Sequence, residues 1–152
     1  MSLAYSCAGR SPPGPARPDP TVKTPLILVV DDDRNMRELL AHHLQQAGYR
    51  VLVAEDALVA GRHVLETPPD LMILDIEMPF MSGIDFLRLL REDTTIPRFP
   101  VLALSAYPQH EDVVTLMGSR FLFKPIQVEV FLEAVRKALA EAAPAESAPK
   151  PA

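Results

Sequence analysis

LILVVDDDR, residues Leu26 to Arg34, decides how the chain is read. Five apolar residues, several of them β-branched, run straight into three consecutive aspartates. The run is too short for a helix and reads as a strand buried on both faces. Carboxylates about 5 Å apart repel by roughly 3 kcal/mol per pair at an effective dielectric near 20. A chain that ends a buried strand this way needs water or a cation to offset the repulsion. Which of the two depends on what else reaches that edge.

Working outward, the pattern alternates. NMRELLAHHLQQAG predicts a helix, with Met36, Leu39, Leu40 and Leu44 on one stripe and Gly48 as its stop. YRVLVAED (49–56) reads as a second strand, and ALVAGRHVLE (57–66) as a helix with Val59, His63 and Val64 near one face. LMILD (71–75) is a third strand, EMPFMSG a loop, and IDFLRLLRED (84–93) a helix. FPVLALSA (99–106), PQHEDVVTLMG (108–118) and RFLFK (120–124) give strand, short helix and strand. QVEVFLEAVRKALAEA closes with Val128, Phe131, Leu132, Val135 and Leu139 on one stripe. Five strands alternating with five helices, the strands being apolar runs, predict a parallel, doubly wound α/β sheet covered on both faces.

Such sheets bind ligands beyond the carboxyl ends of their strands. Asp31 and Asp32 end the first strand, Asp75 the third, Ser105 the fourth and Lys124 the fifth. Three carboxylates, a hydroxyl and an ammonium on one edge suit phosphoryl transfer to a carboxylate. Clustered carboxylates favour a hard octahedral cation such as Mg²⁺. A carboxylate can attack phosphorus, while a cation, a lysine and a hydroxyl neutralise or bond the phosphoryl oxygens.

Each residue also has a plainer reading. Asp31 and Asp32 could be turn and helix-capping residues, and Asp33 is best read as a cap. Asp75 could be an ordinary strand-end aspartate, Lys124 a surface lysine and Phe121 a core residue. Ser105 by itself is uninformative. His42, His43, His63 and His110 lack a ligand spacing and are expected to be solvated or partly packed. Met78 and Met81 are expected to pack.

The motifs VVDDD (29–33), LMILDIEMPFMSG (71–83), LSA (104–106) and FLFKP (121–125) come in order, each at a strand end. Together they resemble the receiver domain of response regulators, the phosphoacceptor module of two-component signalling. The resemblance covers about residues 25 to 140. It implies a flavodoxin-like sheet of order 2-1-3-4-5, which makes the first and third strands neighbours. It implies that Asp75 is phosphorylated and that Asp31 and Asp32, with Asp75 and the backbone carbonyl of Glu77, hold Mg²⁺. It further implies that Ser105 and Lys124 engage the phosphoryl group, that Lys124–Pro125 is cis, and that Phe121 is the rotating aromatic switch.

The implied function is a single-domain response regulator. It would take a phosphoryl group from a histidine kinase or phosphotransfer protein and signal through an unidentified downstream protein, as a monomer or weak homodimer. It would catalyse only its own phosphorylation and dephosphorylation. One alternative is a pseudo-receiver, an interaction module without phosphorylation. Another is an aspartyl-nucleophile phosphatase, which DIE resembles but which would want a second aspartate at 77. Ser105 to Lys124 is shorter than usual for the family and MGSRF lacks a spacer, so a short fourth helix is expected.

Composition fits this reading. Of 152 residues 48% are hydrophobic and 23% charged, enough for a packed core, and the net charge of −5 opposes non-specific binding to nucleic acid or anionic membrane. Cys7 alone cannot form an internal disulfide, no run is long enough to span a membrane, and no secretory signal is visible, so the cytoplasm is the expected location. Residues 1–24, rich in proline and small residues, are expected to be a disordered extension, and 141–152 a disordered Ala/Pro tail.

Overall fold

The computed structural model describes residues 24–147. The extension expected over 1–24, Thr24 aside, and the last five residues lie outside them. The elements follow in order: β1 (Leu26–Val30), α1 (Arg34–Gln46), β2 (Arg50–Ala54), α2 (Ala57–Glu66), β3 (Leu71–Asp75), α3 (Gly83–Glu92), β4 (Val101–Ser105), α4 (Gln109–Leu116), β5 (Arg120–Phe123) and α5 (Val128–Ser147). α5 runs past Glu141, where the sequence predicts a tail, in keeping with the high helix propensity of its alanines.

The strands form one parallel sheet in the order β2-β1-β3-β4-β5. Successive side chains of a strand point to opposite faces. Ile27 and Val29 of β1, with Ile73 and Leu102, pack beneath Leu40 and Leu44 of α1 and Phe131 and Val135 of α5. Leu28 and Val30, with Met72 and Leu74, pack beneath Ala60 and Val64 of α2 and Phe86 and Leu87 of α3. An unbroken apolar strand is what two covered faces require. Met78 and Met81 pack into the second of these layers, as expected.

Some expectations shift. Leu39 is half exposed, because Leu40 and Leu44, four residues apart, take the inward ridge and leave Leu39 about 100° aside. In α2 the inward pair is Ala60 and Val64, with Val59 on the flank, and His63 Nε2 lies 3.1 Å from the Val53 carbonyl. The two outer strands are only partly buried, contrary to the reading of every strand as covered on both faces. Each has one strand neighbour, and its outer side meets solvent.

Local chemistry sets the helix ends. Asp33 caps α1, accepting from Asn35 N and Met36 N. Asp56 and Ser82 cap α2 and α3 in the same way. Gly48 ends α1 at φ 97°, a left-handed position that favours glycine.

The loop after β3 must reverse tightly. Gly83 N donates back to Ile76 O at 2.9 Å, and Phe80 adopts φ 70° on the way. A Cβ on Gly83 would lie 2.4 Å from Asp75 O and 2.8 Å from Ile76 Cα, both rigid backbone atoms. Gly83→Ala is therefore expected to destabilise the domain by about 1–3 kcal/mol. Urea unfolding measures this, and an unchanged midpoint would contradict the close approach.

Candidate functional site

Parallel strands end together, so the residues that follow them meet. The sheet ladder continues one step beyond β1, β3 and β5: Asp31 N donates to Ala54 O, Ile76 N to Leu104 O and Lys124 N to Ser105 O, at 2.9 to 3.1 Å. The backbone beside each candidate side chain is thereby fixed to a neighbouring strand.

One oxygen each from Asp31, Asp32 and Asp75 lies within 4.8 Å of the others. Asp31 and Asp75 are buried and Asp32 is exposed. The Lys124 ammonium donates to Asp75 Oδ1 at 2.9 Å, and Glu77 N donates to the same oxygen at 3.2 Å. No side chain or amide among the described residues donates to Asp75 Oδ2. Asp31 Oδ1 accepts from Asp33 N at 2.9 Å, and its carbonyl accepts from Arg37 Nη1 at 2.8 Å. The three aspartates that open the problem divide the work. Asp31 is buried, Asp32 is exposed, and Asp33 caps a helix.

Electrostatics follow from burial. Burial pushes the Asp75 carboxyl up to about 7, with the nearby Asp31 charge adding to it and the Lys124 hydrogen bond opposing it. Burial also raises Asp31, reinforced by Asp32 and Asp33 and opposed by the Asp33 amide and Lys124. Burial alone would lower Lys124, but the Asp75 hydrogen bond and the charges of Asp75, Asp31 and Glu77 raise it.

Three carboxylates against one ammonium leave two negative charges uncompensated when all are ionised. Asp31 Oδ2 is buried and has no hydrogen-bond partner. An all-oxygen donor set with a buried, unmatched carboxylate oxygen fits a hard divalent cation such as Mg²⁺.

The other candidates surround this cluster. Ser105, fully buried, directs its Oγ to His110 Nδ1 at 2.9 Å and Tyr107 N at 3.0 Å. The Glu77 carboxylate is outside the acidic cluster; its Oε1 accepts from Ala106 N at 3.0 Å. Phe121 packs on the small cluster of Ile76, Ala103 and Val114 and meets Phe123 edge-on at 4.9 Å. Lys124–Pro125 is cis.

His110, expected to be solvated or partly packed and without a role, is partly packed but reaches the site. Its Nδ1 contacts both Ser105 and Glu77, and its ring stands edge-on to Tyr107 at 5.9 Å. Metal-ligand spacing was the wrong signal for it. The available one was position, five residues past a strand-end serine, in the first turn of the following helix.

Comparison with known proteins agrees with this geometry. The model of the response regulator receiver domain family matches residues 27–136. The chain is 35% identical over 118 residues to the DNA-binding dual master transcriptional regulator RpaA of Synechocystis, a match covering 76% of this chain and 49% of that protein. It is 37% identical over 117 residues to the transcriptional regulatory protein KdpE of Mycobacterium tuberculosis, covering 75% and 50%. The chain spans about half the length of these curated relatives. Among solved structures, the chemotaxis protein CheY4 of Vibrio cholerae superposes with a TM-score of 0.70 at 28% identity, covering 76% of this chain and 99% of that one. The receiver domain of Francisella response regulator 1452 gives 0.71 at 26%, covering 78% and 98%. The chain belongs to the response regulator receiver domain family of two-component signalling. No helix among the described residues is long and apolar enough to cross a membrane.

The raised Asp75 makes stability depend on pH. An acid with a folded value near 7 and a reference value of 3.8 favours folding when protonated. That contribution is present below about pH 4 and is lost as pH rises through about 7. Asp75→Asn, uncharged throughout, should match the native chain in melting temperature near pH 4 and exceed it by roughly 10–15 °C near pH 8 in a chelator. Thermal unfolding across that range measures the difference; a pH-independent gap would refute the raised ionisation.

Proposed function

We propose that this receiver accepts a phosphoryl group on Asp75 from a phosphohistidine of a histidine kinase or phosphotransfer protein, in a Mg²⁺-dependent reaction, and signals through a partner protein. The observation that carries this is the buried Asp75 carboxylate, with Lys124 on one oxygen and two more carboxylates within 4.8 Å. In the transfer an Asp75 oxygen forms the bond to phosphorus, the P–N bond breaks, and the imidazole leaves with the electron pair. Asp31, Asp32, Asp75 and the Glu77 carbonyl would hold Mg²⁺, which when bound supplies positive charge to the phosphoryl oxygens. The Lys124 ammonium adds a second positive charge, and the Ser105 hydroxyl adds a hydrogen-bond donor.

The new charge at Asp75 draws Ser105 and Lys124 towards it, moves the loop after β4, and biases the rotamer of Phe121. Support comes from the light packing there: Val114 is the buried residue of α4, and Phe121 is half-buried. Leu116, Phe123 and Val130 expose apolar surface on α4, β5 and α5, a face suited to a protein partner. The chain acts as a monomer or weak homodimer in the cytoplasm, where response regulators typically work, and catalyses only its own phosphorylation and dephosphorylation. RpaA is a DNA-binding protein; for this chain direct nucleic-acid contact is not proposed, since a net charge of −5 opposes a polyanion.

Incubation with acetyl phosphate and Mg²⁺, read by intact mass, tests the proposal. The native chain should gain one phosphoryl group, and Asp75→Asn or a chelator should abolish the gain. No gain in the native chain would leave a binding module with a receiver fold. Tyr107, half exposed two residues past Ser105, and Glu77, two residues past Asp75 and holding Ala106 N, are expected to shield the phosphoacceptor from water. Tyr107→Ala and Glu77→Ala should each shorten the acyl phosphate half-life severalfold; unchanged decay rejects the shielding role.

A further inference from the structure

His110 Nδ1 faces two oxygens at once: Ser105 Oγ at 2.9 Å and Glu77 Oε2 at 3.5 Å. Glu77 Oε1 already accepts from Ala106 N. Glu77 Oε2 is buried and has no hydrogen-bond partner, and His110 Nδ1 is the cation-capable nitrogen beside it. A bare Nδ1 would set its lone pair against a carboxylate lone pair and leave that buried oxygen wholly unmatched. A hydrogen on Nδ1 instead bonds Ser105 Oγ and sets its positive end on the side where Glu77 Oε2 lies.

This fixes the role of Ser105. A hydroxyl has two acceptor lone pairs and one hydrogen. With the hydrogen on Nδ1, Ser105 Oγ receives it, at a separation of 2.9 Å, as well as the backbone N–H of Tyr107 at 3.0 Å. Both lone pairs are then occupied, and its own hydrogen is free only to be donated elsewhere. Ser105 follows Leu104, the strand partner of Asp75, so its hydroxyl lies at the same edge of the sheet as the phosphoacceptor. We infer that His110 is a positioning residue that, oriented by Glu77, makes the Ser105 hydroxyl an obligate donor to the phosphoryl group on Asp75. The arrangement needs a histidine in the first turn of α4 to fold back over the end of β4, and the SAYPQH spacing provides it. Tyr107 stands edge-on against the imidazole and limits its rotation.

The inference rests on Asp75 being the phosphoacceptor, so its test has an arm that needs neither phosphate nor metal. Long-range ¹H–¹⁵N correlation on the Mg²⁺-free protein should show hydrogen on Nδ1 of His110; an unprotonated Nδ1, accepting from Ser105, overturns the inference. In the second arm, acetyl phosphate and saturating Mg²⁺ are supplied and the initial phosphorylation rate is read by intact mass. His110→Ala should slow the reaction about tenfold. His110→Asn, whose amide hydrogen occupies the place of Nδ1–H, should restore it to within about twofold. In a Ser105→Ala background, His110→Ala should change nothing further, because it acts through that hydroxyl. Mg²⁺ affinity should be unchanged in both histidine variants, which separates positioning from misfolding. An undiminished rate in His110→Ala, no recovery in His110→Asn, or a full effect without Ser105 overturns the inference. If the native chain itself gains no phosphate, the proposed function fails, and the hydrogen position on His110 still decides this one.

Discussion

The ion pair between Lys124 and Asp75 is the contact around which the site is arranged. It spans from the end of β5 to the end of β3, across β4, at 2.9 Å. Burial disfavours both charges, and each opposes that cost for the other. Asp31 and Asp32 then add negative charge to a place that already has too much of it. A fold selected for stability alone would put apolar groups there. The proposed uptake of a cation and then of a phosphoryl group would draw on that excess of negative charge.

The parallel sheet makes such a site possible. Parallel register ends neighbouring strands at one edge, and hydrogen bonds that run one residue past β1, β3 and β5 keep that edge stiff. The loop from Asp75 to Gly83 is held as tightly, with no room for a side chain at Gly83. Stiffness is not uniform, however. The two large core layers lie under α1, α2, α3 and α5, whereas α4 covers a cluster of three buried residues. Under the proposed function, a local change of charge would displace the α4 side more readily than the acidic side. His110 lies on that boundary, in the element that can move, bonded to the strand that does not.

The sequence by itself was enough for the periodicity of each element, the two-faced burial of β1, β3 and β4, and the set of residues at strand ends. These are local properties: five apolar residues in a row, an aspartate immediately before a helix, a glycine after one. Strand order came through family resemblance, since no local feature says which parallel strands are neighbours. Tertiary structure decided the rest. It separated Asp31, Asp32 and Asp33 into buried, exposed and capping residues, though they are identical letters in a row. It left β2 and β5 half covered, because an edge is a property of the sheet and not of the strand. It turned Leu39 outward and brought His110, 33 residues from Glu77, against that carboxylate and the Ser105 hydroxyl. Hydrogen-bond partners of that kind depend on distances that only the folded chain sets, so no spacing rule along the sequence could have contained them.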